Sequence, residues 1–163
     1  MHRKTSQLQI RVSPREKLAI HQAARASGKD VSAWVLSRLL FEERDKFELL
    51  VQQCAAPEGR SVALAELNDF LTKLKASQWK NVVQEKPSTK LGSEVENQVA
   101  AMIEYAAQIK GLDAPAWTSS IEPLNKPYFA SSLLSLRMHL LVNAPAVFKR
   151  RNLFVDTSIG GRV

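Results

Sequence analysis

Gln7-Leu8-Gln9-Ile10-Arg11-Val12-Ser13-Pro14-Arg15-Glu16 changes its periodicity halfway along. From Gln7 to Val12 polar and apolar residues alternate. This places Leu8, Ile10 and Val12 on one face of a strand and Gln7, Gln9 and Arg11 on the other. Ser13 then reads as a helix N-cap, Pro14 suits the first helical position and Glu16 completes a capping box. The helix is expected to reach about Ser27, with Gly28 supplying the left-handed turn that closes it. Asp30 predicts a second N-cap. Val31, Trp34, Val35 and Leu39 follow on one stripe, widened by Leu36 and Leu40. A single short strand leaves half its backbone groups unpaired and is not stable alone. The economical arrangement is a homodimer, in which two copies of the strand pair antiparallel above four helices.

Residues 5–44 resemble the ribbon-helix-helix repressors of the Arc and MetJ type, which read DNA through a β-ribbon. The resemblance rests on the Gln-x-Gln-x-Arg strand, the Pro-Arg-Glu helix opening, Ala24, Gly28 and the Asp30-Val31-Ser32 start of the second helix. It implies that Gln7, Gln9 and Arg11 face the major groove of double-stranded DNA. Their chemistry agrees: arginine can take a guanine edge with two hydrogen bonds, and glutamine can pair with adenine. The resemblance also implies a phosphate contact at the start of the second helix, where Lys29 and Ser32 stand. Asp30 works against an anion there, and Lys29 offsets it. Arg3 and Lys4, before the strand, are expected to touch the DNA backbone.

Charge is distributed unevenly. Of the net +7, residues 1–44 hold +5, from nine Lys/Arg against four acids. Residues 45–148 hold −1 and residues 149–163 hold +3. A basic N-terminal segment, doubled by dimerisation, is the electrostatic footprint of a polyanion binder.

The rest of the chain, 45–163, reads as a mostly helical domain with a short β-like tail, so the fold class expected for the whole is mostly α. Phe47, Leu50, Val51 and Cys54 share a helical face, and Pro57-Glu58-Gly59 breaks it. Leu64, Leu67, Leu71 and Leu74 form the next stripe, extended by Trp79, Val82 and Val83. After a loop at 86–92, Ser93 to Glu96 reads as a capping box. It opens a helix with Val95, Val99, Met102, Ala106 and Ile109 on one face and Gly111 at its end. Pro115, Pro123 and Pro127 make 112–128 irregular, pinned by Trp117, Tyr128 and Phe129. A last helix carries Leu133, Leu136 and Leu140 and stops at Asn143-Ala144-Pro145. The leucine stripes are read as core, and Lys149-Arg150-Arg151 as a solvated face. Glu94, Glu96 and Glu104 are read as helix-start charge and a wet face.

Nothing in the sequence predicts an enzyme. His2, His21 and His139 have no ligand spacing, Cys54 has no partner for a metal site, and no phosphate loop precedes a helix. No cofactor or metal is expected. The chain lacks a leader-like or membrane-spanning stretch, which predicts a cytoplasmic, nucleoid-associated protein with no membrane partner. Pro127-Tyr128-Phe129, Ala144-Pro145 and Arg151-Asn152-Leu153-Phe154 resemble proteins of bacterial toxin–antitoxin operons, some encoded beside nucleotidyltransferase-like toxins. That resemblance implies an antitoxin. Its dimer would bind a palindromic operator and repress its own operon, and its C-terminal domain would silence a toxin. Two alternatives remain open: a free-standing regulator whose second domain senses a ligand or fixes the oligomer, and a plasmid partition or relaxosome accessory protein.

Overall fold

The first helix begins where the sequence places it. Ser13 takes an extended conformation and its hydroxyl accepts the Glu16 amide at 3.4 Å. The Glu16 carboxylate reaches back to accept the Ser13 amide at 2.7 Å and its hydroxyl at 2.8 Å. This reciprocal cap starts α1 (Pro14–Ala26). The computed structural model describes residues 9–156, with the backbone alone for 37–42. Among these residues the architecture is mostly helical, as expected, with one small sheet.

The end of α1 is a Schellman corner. Gly28 sits at φ 66°, its amide donates to the Arg25 carbonyl at 3.0 Å, and the Lys29 amide donates to the Ala24 carbonyl at 3.1 Å. Only a residue without a Cβ adopts that φ at no steric cost. Asp30 then caps α2 (Val31–Ala55), its carboxylate accepting the Ala33 amide at 2.8 Å.

The pair of bonds from Ser13 to the Glu16 carboxylate, the backbone one first, holds that carboxyl below the usual range. Its contribution to the helix start is therefore present above the ordinary carboxylate pKa. It is lost as pH falls through the lowered folded value. Ser13→Ala removes the hydroxyl bond and leaves the amide bond. An NMR pH titration should show the Glu16 midpoint moving part of the way back up; an unmoved midpoint would mean the cap is not formed in solution.

The chain divides into two compact units, Met1–Leu39 and Leu40–Val163. The second unit is built on the latter part of α2, with α3 (Arg60–Lys73), α4 (Ala76–Val83) and α5 (Ser93–Lys110). Two short helices, α6 (Ala116–Ser119) and α8 (Ala146–Lys149), flank β1 (Tyr128–Phe129) and α7 (Leu134–Asn143). Then β2 (Leu153–Phe154) pairs parallel with β1, Tyr128 opposite Leu153 and Phe129 opposite Phe154. The β-like tail is thus a strand joined to the preceding irregular segment. Asn152 turns the chain into β2 at φ 61°, its amide group donating to the Leu124 carbonyl at 2.9 Å.

The expected stripes supply the core. Phe47, Val51 and Cys54 of α2, Leu67 and Leu71 of α3, Trp79, Val82 and Val83 of α4, and Val95, Val99 and Ile103 of α5 are all buried. Phe47 and Phe70 stack with centroids 6.4 Å apart. The tryptophans keep a polar partner as they pack: Trp79 Nε1 donates to the Asp113 carbonyl at 3.2 Å, and Trp117 Nε1 to that of Val83 at 2.9 Å. Arg44 ties the end of α4 to α2. Its guanidinium donates to the Val82 and Glu85 carbonyls at 2.6 and 2.8 Å and pairs with Glu48.

Several local expectations are corrected. Gly92, not Ser93, is the N-cap of α5, without a side-chain cap; Ser93 is already helical. Ile109 lies in the last turn of α5 and is exposed. On α7 Leu140 is buried, whereas Leu133 and Leu136 are exposed. Arg151 and Glu104, read as solvated, are both withdrawn from water. Arg151 Nη2 meets Glu104 Oε1 at 2.5 Å and the Thr118 carbonyl at 2.6 Å, and Nη1 meets Asn97 Oδ1 at 3.2 Å. Among the described residues no helix is long and apolar enough to cross a membrane.

Candidate nucleic-acid interface

The expected interface begins with an extended segment. Residues 9–13 run into the Ser13 cap without helix or ladder. Among the described residues, Gln9 to Ser13 have no ladder partner, so their backbone groups are left to water or to a second chain. Gln9 and Arg11 are exposed. So are the apolar residues that alternate with them, Ile10 at 60% and Val12 at 41%, together with Leu18 of α1 at 61%. The first unit thus shows water a set of aliphatic side chains beside a polar face. Ala24 is the residue it buries most fully.

At the corner between the helices, Lys29 and Ser32 are both exposed and flank Asp30. The Asp30 carboxylate already accepts the Ala33 amide, so one donor of the α2 N-terminus is occupied. The Lys29 charge and the positive end of α2 favour an anion there, and the Asp30 carboxylate opposes it. Arg3, Lys4 and Gln7 lie outside the described residues.

Arg11, Arg15, Lys17, Arg25 and Lys29 are exposed, and no ion pair among the described residues engages them. The two acids of the same stretch, Glu16 and Asp30, are both spent on helix caps. Arg44, by contrast, is committed to carbonyls of the second unit and adds nothing to a basic face. The carbonyls that hold it lie some forty positions away in the sequence, beyond any local window.

Burial pushes the Cys54 thiol up to about 11, against a partly offsetting Arg60 charge, so it stays protonated near neutrality. A cleft lined by Pro87, Leu91 and Trp117, among others, encloses about 10 Å³, the room of a single water.

These features define a class: a capped two-helix module with a tight glycine corner, preceded by an extended polar–apolar arm and carrying an excess of exposed bases. The particular likeness is to the NikA-like family, described as mobilization protein NikA, whose family model matches residues 2–45. That match takes in the whole arm, α1 and the first part of α2. No curated protein and no solved structure matches the chain.

Proposed function

We propose that this protein is a DNA-binding accessory protein of a mobilization complex. Its N-terminal module would act as a ribbon-helix-helix dimer and its helical unit as a platform for assembly. The observation that carries the reading is the match of residues 2–45 to the NikA-like mobilization family. It agrees with the resemblance to ribbon-helix-helix proteins and favours the relaxosome accessory alternative. The antitoxin expectation rests on the C-terminal resemblance and on the plan of a small DNA-binding domain followed by a larger helical one, and the toxin partner draws no support from the match.

The mechanism follows from the arm. Two copies of residues 7–12 pair antiparallel, which satisfies the backbone groups that one chain leaves open and covers Ile10, Val12 and Leu18. The opposite face of the ribbon then carries Gln7, Gln9 and Arg11 from each copy into the major groove. Arg3 and Lys4 neutralise phosphates beside the ribbon, and Lys29 and Ser32 hold the backbone at the helix corner. Two-fold symmetry of the protein requires a symmetric pair of half-sites. Binding at such a site next to a promoter would also repress transcription, so repression and mobilization share one interface.

DNase I footprinting of the full chain on the replicon that carries its gene tests the reading. It predicts a discrete protected segment with two-fold related halves, and a fall in transfer frequency when the gene is deleted. Featureless coating of the DNA, with transfer unaffected, would contradict it.

A further inference from the structure

Helix α7 is apolar on two sides, and Leu140 is the one residue of it that is buried. Leu140 is 5% exposed and turned to the body of the unit, where α7 lies against β2. On the other side Leu134 is 76% exposed, Met138 66%, Leu141 40% and Val142 72%. Their spacing of i, i+4, i+7 and i+8 puts them on one stripe of the helix. Together they present an apolar patch of roughly a few hundred Å², the size of the largest such patch on an ordinary monomer, which is often functional.

The sequence on either side of that stripe carries one sign of charge. Between Glu122 and Asp156 the sequence has no acidic residue, while Lys126, Arg137, Lys149, Arg150 and Arg151 are basic. The neighbouring elements β1, β2 and α8 all belong to this stretch. Arg151 is neutralised by Glu104 within the fold, but Arg150 is exposed. Arg137 stands three residues after Leu134 and four before Leu141, on the edge of the stripe. Its guanidinium lies 5.3 Å from the centre of the Phe129 ring, which holds the charge there. Lys149 donates from Nζ to the Val142 carbonyl at 2.8 Å, at the C-terminal end of the helix.

We infer that the outer face of α7 docks an acidic amphipathic helix of a partner protein. The partner carries apolar residues at i, i+3, i+4 and i+7 and Asp or Glu along the margin that meets Arg137 and Lys149. A second copy of this chain would bring one basic rim against another, which opposes association. Nucleic acid would find the charge but no aromatic plane on the stripe for its bases to stack on. An acidic apolar helix satisfies both halves of the surface. The site belongs to the second unit and does not depend on the DNA-binding arm.

The test uses the full chain and two synthetic helical peptides with the same leucine stripe, one with glutamates at its margins and one with lysines. Fluorescence anisotropy should show saturable binding of the acidic peptide and none of the basic one. Met138→Glu should weaken the acidic peptide at least tenfold, and Arg150→Glu several-fold, with helical content by circular dichroism unchanged. Duplex DNA binding by Met138→Glu should equal that of the parent, which separates this site from the N-terminal one. Four outcomes would each overturn the inference. They are no saturable binding, equal binding of the two peptides, undiminished binding by Met138→Glu, or a sedimentation mass that falls when Met138 is replaced. The last would show a second copy on the face.

Discussion

Arg151→Ala is expected to destabilise the second unit by about 3–5 kcal/mol, because it removes one partner of a buried ion pair and leaves the other. Arg151 is 5% exposed and its guanidinium is held on all sides. Nε and Nη2 meet the Glu104 carboxylate at 3.3 and 2.5 Å; carbonyls of Thr118 and Ile121 and the Asn97 side chain take the remaining donors. Asn97 passes the link on, donating to the Glu122 carbonyl at 3.0 Å. One side chain thus joins α5, α6, the segment after α6 and the turn before β2. In Arg151→Ala the Glu104 carboxylate stays in the fold without its counter-charge. Thermal unfolding should fall by roughly 10–20 °C for a unit of this size. Arg151→Lys should recover little, since an ammonium cannot span partners arranged for a planar fork. Joint replacement of Arg151 by Met and Glu104 by Leu should recover most of the loss, since no charge is then left buried. A melting curve for Arg151→Ala that matched the parent would show that these contacts do not hold the unit together.

Arg11→Ala is expected to cost the dimer about 2–6 kcal/mol on its specific site, because a symmetric site loses one bidentate contact of about 1–3 kcal/mol in each half. Arg11 is exposed and precedes the first helix, so its removal leaves the module's packing in place. The loss should fall on the specific duplex and flatten base preference at the contacted positions. Lys4→Ala should instead weaken all sequences alike and lower the salt slope by about one for each chain. Titrations of a specific and a scrambled duplex at several salt concentrations distinguish the two. Identical behaviour of the two variants would assign Arg11 to phosphate rather than to a base.

The parts of the fold that were legible in the sequence are those whose causes are local. Ser13 and Glu16 cap each other three residues apart, Gly28 closes α1 at its own φ, and Asp30 caps the next helix within one turn. Each can be read from a short window. Arg151 could not, because Glu104 lies 47 positions earlier, and a Lys-Arg-Arg run reads the same whether it is solvated or pinned. The second apolar face of α7 was hidden for a different reason. The stripe Leu133, Leu136 and Leu140 points to the side that meets the body, but how far along that side the cover reaches is set by distant elements, and it reaches only Leu140. Ile109 keeps the period of α5 yet stands exposed in its last turn. The arm is the reverse case. Its alternation is plain in the sequence, whereas the ladder it implies needs a second chain.

The central claim is that residues 2–45 form a dimeric DNA-binding module, and the most direct test is the stoichiometry of the complex. Sedimentation equilibrium of the full chain with a labelled duplex spanning the footprinted segment should give two chains per duplex. Arg11→Ala should abolish that complex at the same protein concentration while leaving the protein's own dimerisation intact. A single chain per duplex, or a complex that Arg11→Ala leaves unchanged, would contradict the account.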